Sequence, residues 1–224
     1  MPVFLAAAGK FTMEWLLSIL NNPETAGVEG GWGVAYCYGN RLETIRSHHS
    51  RKEGEEFNQL KEIRTDMAML YFHNTDEKLT PRTVQPFVRR EAGEAWAFCH
   101  IGHIEHPERL NLGGRYPDGP APSETFFMHI LNQFRAEAPV ESVYALFSTT
   151  PDEGTLSFSL MSPNFVVAAS WFNEKEKKPI RLWFGKGKLV RLLATYPFEN
   201  LAGVVWEVLA NRSVLIINRE RRAV

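Results

Sequence analysis

The stretch Glu94–Ile104 reads E-A-W-A-F-C-H-I-G-H-I. From Ala95 to Ile101 it is apolar and aromatic with no proline, which predicts a strand buried on both faces. Gly102 is read as the end of that strand, with His100 and His103 on either side of it. Cys99 is read at the strand's exit. A buried strand that delivers a cysteine, two histidines and free backbone N–H groups to the edge of a core is a common way to build a site. The same residues also read as a plain core strand with a buried thiol, because free cysteine is among the most buried residue types.

The rest of the chain sets the bounds. At 224 residues the length suits one domain, read as spanning 1–224, since neither a linker nor a repeat interrupts it. Hydrophobic residues make up 44% and charged residues 23%, the composition of a globular protein. With 25 Lys+Arg against 26 Asp+Glu the net charge is −1, which argues against a sequence-independent nucleic-acid binder. No apolar run is long enough to span a bilayer, and the first residues lack the basic start of a signal peptide. Two cysteines, Cys37 and Cys99, are too few for a disulfide framework. The expected setting is the cytoplasm, without membrane, cofactor or metal.

Taken in order, Pro2–Ala8 predicts an opening strand and Thr12–Leu20 a helix, stopped by Asn21-Asn22-Pro23. Gly27–Gly33 is a glycine-rich loop, Val34–Tyr38 a strand, and Gly39-Asn40 the turn into Arg41–Ile45. Ser47–Gly54 reads as a solvated loop despite its paired His48 and His49. Phe57, Leu60 and Ile63 are spaced for an amphipathic helix over Glu55–Ile63. Asp66–Phe72 predicts a central strand, and Val84–Val88 an edge strand interrupted by Pro86. A long Gly- and Pro-rich loop, Pro107–Pro122, follows; loops of that length often carry function. Ser123–Glu137 predicts a helix capped by Ser123, and Pro139–Phe147 a second. Further strands are predicted at Thr155–Met161, Asn164–Phe172, Ile180–Phe184, Leu189–Thr195 and Ser213–Ile217, the first of them half-buried by its alternation. Strands outnumber helices and the helices come in pairs, which predicts an α+β fold of two antiparallel sheets with helices outside.

Several short motifs then fall in one order. They are the apolar strand from residue 2, G-W-G at Gly31–Gly33, P-F at Pro86-Phe87, F-x-H-x-G at Phe98–Gly102, S-E at Ser123-Glu124, and a strand-rich distal half containing Trp206. Together they resemble the class II glutamine amidotransferase domain, particularly its small stand-alone members. The resemblance implies a four-layer αββα sandwich, the N-terminal-nucleophile hydrolase fold. It also implies a cysteine nucleophile at position 2 whose own α-amine is the base. An Asn-Gly pair after the central strand would form the oxyanion hole. An arginine in an H-x-R motif would hold the glutamine carboxylate, and an aspartate before S-E its amine.

Position by position, this sequence departs from that pattern. Pro2 stands at the nucleophile position and Ile101 at the oxyanion asparagine, leaving Gly102. Phe72, with His73 and Leu70 nearby, occupies the H-x-R region. Pro122 replaces the aspartate, Gly30 the acidic residue before G-W-G, and Gln85 the histidine before P-F. No catalytic position is intact, and Phe72, Ile101 and Pro122 are expected to make the glutamine pocket apolar. The expected function is therefore binding, regulation or scaffolding, with a small-molecule ligand, a partner protein or a second copy of the chain as partner. The alternative is a hydrolase or amidotransferase of altered chemistry using Pro2, or Cys99 with His73, His100 or His103. His100, His103 and His106 offer three nitrogens to a metal, but across a strand end and a loop, so no metal site is expected.

Overall fold

The computed structural model describes residues 2–20, 30–51, 55–75, 79–91, 93–150, 154–175, 179–199 and 201–219. The expected helix stop at Asn21-Asn22-Pro23 and the first part of the glycine-rich loop, up to Glu29, lie outside these residues. Two antiparallel sheets face each other. The larger has the order β11-β9-β10-β1-β4-β2-β3 and the smaller β12-β8-β7-β6-β5. In the larger sheet the strands are β1 (Val3–Gly9), β2 (Trp32–Tyr38), β3 (Arg41–Ser47), β4 (Met67–Phe72), β9 (Trp183–Lys186), β10 (Val190–Ala194) and β11 (Val205–Val208). The smaller holds β5 (Phe87–Glu91), β6 (Glu94–Ile104), β7 (Gly154–Met161), β8 (Phe165–Ser170) and β12 (Ser213–Asn218).

Alternation along each strand sorts the apolar residues into three cores. Phe4, Ala6, Met69 and Tyr71 of the large sheet meet Ala97, Cys99, Ile101 and Met161 of the small one in the inter-sheet core. The opposite face of the large sheet, with Val3, Leu5, Leu70 and Phe72, is covered by α1 (Met13–Ile19) and by Leu60, which follows α2 (Glu55–Gln59). The outer face of the small sheet, with Phe98, Phe158 and Leu160, packs beneath α3 (Pro122–Gln133) and α4 (Pro139–Thr149). There Phe98 stacks on Phe127 at 4.8 Å between centroids. The result is a four-layer αββα sandwich, as expected.

Several expectations need correction. β6 runs eleven residues, to Ile104, so Gly102 lies inside the strand rather than ending it. Cys99 is accordingly mid-strand and fully buried between the sheets. β7 is buried on both faces, not one, because its serine-bearing face lies against the large sheet. β5 begins only at Phe87, after the proline, which has no N–H to give to a ladder. β2 starts earlier than read, at Trp32, and β11 around Trp206 was not anticipated. The cap of α3 is Ala121, without a side-chain bond, and Ser123 lies inside the first turn.

Candidate functional site

The crevice end of the sandwich gathers the start of β1, the end of β4, the open edge of β6 and the start of α3. Phe4 pairs with Tyr71 and Val3 with Phe72, so the register extended by one residue sets Pro2 opposite His73. Alternation turns Pro2, Tyr71 and His73 toward the small sheet. Phe72 faces the other way. Its ring lies in the outer core, edge-on to Phe57 at 5.9 Å. The two working positions of an H-x-R motif are two apart and share a face, so the inward pair at the end of β4 is Tyr71 and, one residue past the strand, His73, not Phe72. Tyr71 and His73 are themselves in ring contact at 4.8 Å.

The expected apolar pocket of Phe72, Ile101 and Pro122 therefore does not form. Phe72 belongs to the outer core, Ile101 to the inter-sheet core, and Pro122 is exposed on the first turn of α3. Gly30 has a steric reason to be glycine, since a Cβ there would run into the carbonyl of His73.

A polar network occupies this end instead. Beyond Phe87 the chain of β5 leaves β6, which strips His100 of a backbone partner. Gln85 supplies one with its side chain: the His100 N–H donates to Oε1 at 2.6 Å, and Nε2 donates to the His100 carbonyl at 3.3 Å. Gly33 makes this approach possible, because any side chain there would strike the Gln85 carbonyl. The Gln85 N–H donates to Nε2 of His73 at 3.0 Å, so that nitrogen is bare. Burial holds the His73 ring down at about 4, neutral near pH 7. Alternation sends the Gly102 N–H to the same edge as that of His100. Gly102 is an exposed residue, and its N–H meets no backbone acceptor among the described turn and loop residues.

The ring of His100 lies on the outer face, under α3. Its Nε2 is 3.0 Å from the Thr155 carbonyl and its Nδ1 2.9 Å from Ser123 Oγ. A carbonyl can only accept, so Nε2 carries the proton and the Ser123 hydroxyl donates to Nδ1. Burial is the main force that lowers this ring to about 4. Glu124, next along, is buried. It accepts from the N–H groups of Asp118 at 3.0 Å and Gly119 at 2.7 Å, and from Arg89 at 3.2 Å. Arg89 also pairs with Asp118. Those bonds fasten the long loop to the start of the helix.

Neither thiol is near deprotonation. Burial pushes Cys99 well up and Cys37 up to about 12. Among the described residues no three His, Cys, Asp or Glu side chains are gathered as a metal would need; both ring nitrogens of His100 are engaged, while His103 and His106 are exposed. No described helix is long and apolar enough to cross a membrane. At the opposite pole a cavity of about 820 Å³ includes Gly9, Cys37, Lys61, Arg64, Asp66 and Arg219 in its lining. Arg219 pairs there with Asp66 at 2.6 Å.

Of these features the sequence reading missed the inward pair Tyr71/His73, the Gln85 bridge and the Ser123–His100 bond. Strand alternation could have found the first, given the register with β1. Nothing local couples residues 85, 100 and 123.

A family model described as glutamine amidotransferases class-II matches residues 12–170, more than half the chain. No curated protein matches the sequence. Among solved structures, the fold is similar to glutamine phosphoribosylpyrophosphate amidotransferase from B. subtilis, with a TM-score of 0.75 and 16% identity over 97% of this chain. The match spans 47% of that enzyme, about half its length. A predicted glutamine amidotransferase from Pseudomonas aeruginosa PA01 is similar at TM-score 0.66 and 13% identity, over 96% of this chain and 93% of that one. A class-II domain protein from Silicibacter pomeroyi gives 0.63 and 14%, over 96% and 94%. At such identities the structural likeness is one of fold, and it is the family match that decides membership: this chain belongs to the class-II glutamine amidotransferases, built on the N-terminal-nucleophile sandwich.

Proposed function

We propose that this chain keeps the amidotransferase fold without amidotransferase chemistry, and works as a binding, regulatory or scaffold protein. The observation that carries this reading is the absence of an available thiolate. Pro2, at the position the family resemblance gives to the nucleophile, has no thiol, and both cysteines of the chain are buried and held protonated. A neutral His73 cannot clamp a carboxylate as an arginine does. Ile101 gives no second donor beside the Gly102 N–H, and one missing oxyanion donor lowers rate by about 10²–10³.

The alternative of a Cys99–His100 pair is weakened by geometry, since the His100 ring is bonded on the face of β6 away from the thiol. Packing of the described residues into one sandwich supports a single domain, and two free cysteines suit a reducing cytoplasm. The partner is a small molecule, another protein or a second copy. The test is ammonia release from L-glutamine, together with mass spectrometry after exposure to a glutamine-analogue electrophile. Background-level release and an unlabelled protein are expected; turnover, or label on any residue, would overturn the reading.

A further inference from the structure

We propose that Ser123 and His100 form a nucleophile–base pair for acyl transfer from small carboxylic esters, on the outer face of the small sheet and separate from the inter-sheet crevice. This goes beyond the reading above, which denies the chain glutamine chemistry and gives it a binding, regulatory or scaffold role, by adding a reaction of its own at a separate site.

Four features meet at Ser123. Its hydroxyl donates to the bare Nδ1 of His100 at 2.9 Å, the contact a hydroxyl nucleophile needs with its base. The base is oriented from its far side, because Nε2–H is held by the Thr155 carbonyl at 3.0 Å. Gly102 gives that carbonyl its room: a Cβ at residue 102 would collide with it. Ser123 is only partly buried, so a reagent can reach the oxygen. Lastly, Ser123 follows Pro122 in the first turn of a twelve-residue helix. Its own N–H has no partner among the described residues, and it sits at the positive end of the helix. An oxyanion formed on an acyl group at Oγ would have that donor.

The step balances with water as the only co-reactant. Oγ bonds the acyl carbon as its proton passes to His100 Nδ1, a transient protonation that the burial of this ring opposes. The tetrahedral adduct then collapses, breaking the bond to the leaving alkoxide, which takes that proton. Water repeats the sequence and releases the carboxylic acid and the free serine. Thr155 and Gly102 are positioning residues in this scheme.

The experiment is covalent labelling of the full chain with a fluorophosphonate, with the labelled residue located by peptide mass spectrometry, beside hydrolysis of p-nitrophenyl acetate. Label at Ser123 is expected at about 10²-fold or more the rate at exposed Ser148 of α4, the lower range for general-base assistance. Ester hydrolysis should vanish in Ser123→Ala and persist in Ser148→Ala. The wild-type label settles the matter even if a variant fails to fold. A purely structural Ser123–His100 bond would leave Ser123 unlabelled, or labelled no faster than Ser148, and either result overturns the proposal. Ammonia release from glutamine is read separately, so failure of this inference and failure of the binding reading remain distinct.

Discussion

Single residues at the crevice end are chosen by close backbone approach as much as by chemistry. Gly102 has φ 151°, a region that side chains avoid, and the Thr155 carbonyl occupies the place of its missing Cβ. Gly102→Ala should therefore lower stability by about 1–3 kcal/mol for the backbone alone, with more from displacing Thr155. The measurement is the urea midpoint, and an unchanged midpoint would contradict the packing described. The sequence read Gly102 as the end of the strand and attached a family role to it. That it sits mid-strand against a neighbouring carbonyl depends on β7, whose nearest residue, Gly154, is fifty-two positions away.

At the level of elements, the Gly- and Pro-rich loop is a fastened strap rather than a free loop. Glu124 holds its end through two backbone N–H groups and Arg89. Arg115 adds a bond to Glu91 at 2.6 Å and one to Asn132 at 3.1 Å. These bonds tie the loop to β5, the edge strand of the small sheet. Removing one partner of a buried charged cluster typically costs about 3–5 kcal/mol. Glu124→Ala should fall at the lower end, since Arg89 keeps some solvent and Asp118. Limited proteolysis should also begin to cut within 107–121. Cleavage as slow as in the wild type would show that the strap does not depend on Glu124. The helix start was legible in S-E. The sequence suggested Ser123 as its cap, whereas the hydroxyl is drawn off to His100 and Glu124 does the fastening.

Over the whole molecule, buried neutral histidines tie stability to pH. His100 is about 4 in the folded protein against 6.5 for a free ring, and His73 is lowered to a similar value. The folded state thus resists protonation that the unfolded chain accepts. Between pH 6.5 and 4 the unfolded state binds more protons, so stability falls as pH falls through that window. For the fully buried His100 the loss approaches roughly 3 kcal/mol by pH 4. Urea midpoints measured from pH 7 to 4 should decline, and a flat profile would contradict neutral buried rings.

The sequence by itself determined the layers. Apolar runs named Pro2–Ala8 an opening strand, Asp66–Phe72 a central one and Ala95–Ile101 one buried on both faces, because a strand buried on both faces leaves no polar position. Motif order then pointed to the αββα sandwich and to the family. What only the tertiary structure decided was facing. A strand's period of two does not say which of its two faces meets the partner sheet. Phe72 was thus read into the crevice when Tyr71 and His73 face it, and the supposed apolar pocket dissolved. Nor could spacing reveal that Gln85 completes the edge of β6, or that Ser123 reaches His100. Those contacts join residues fifteen and twenty-three positions apart, and they exist only because two sheets and a helix converge there.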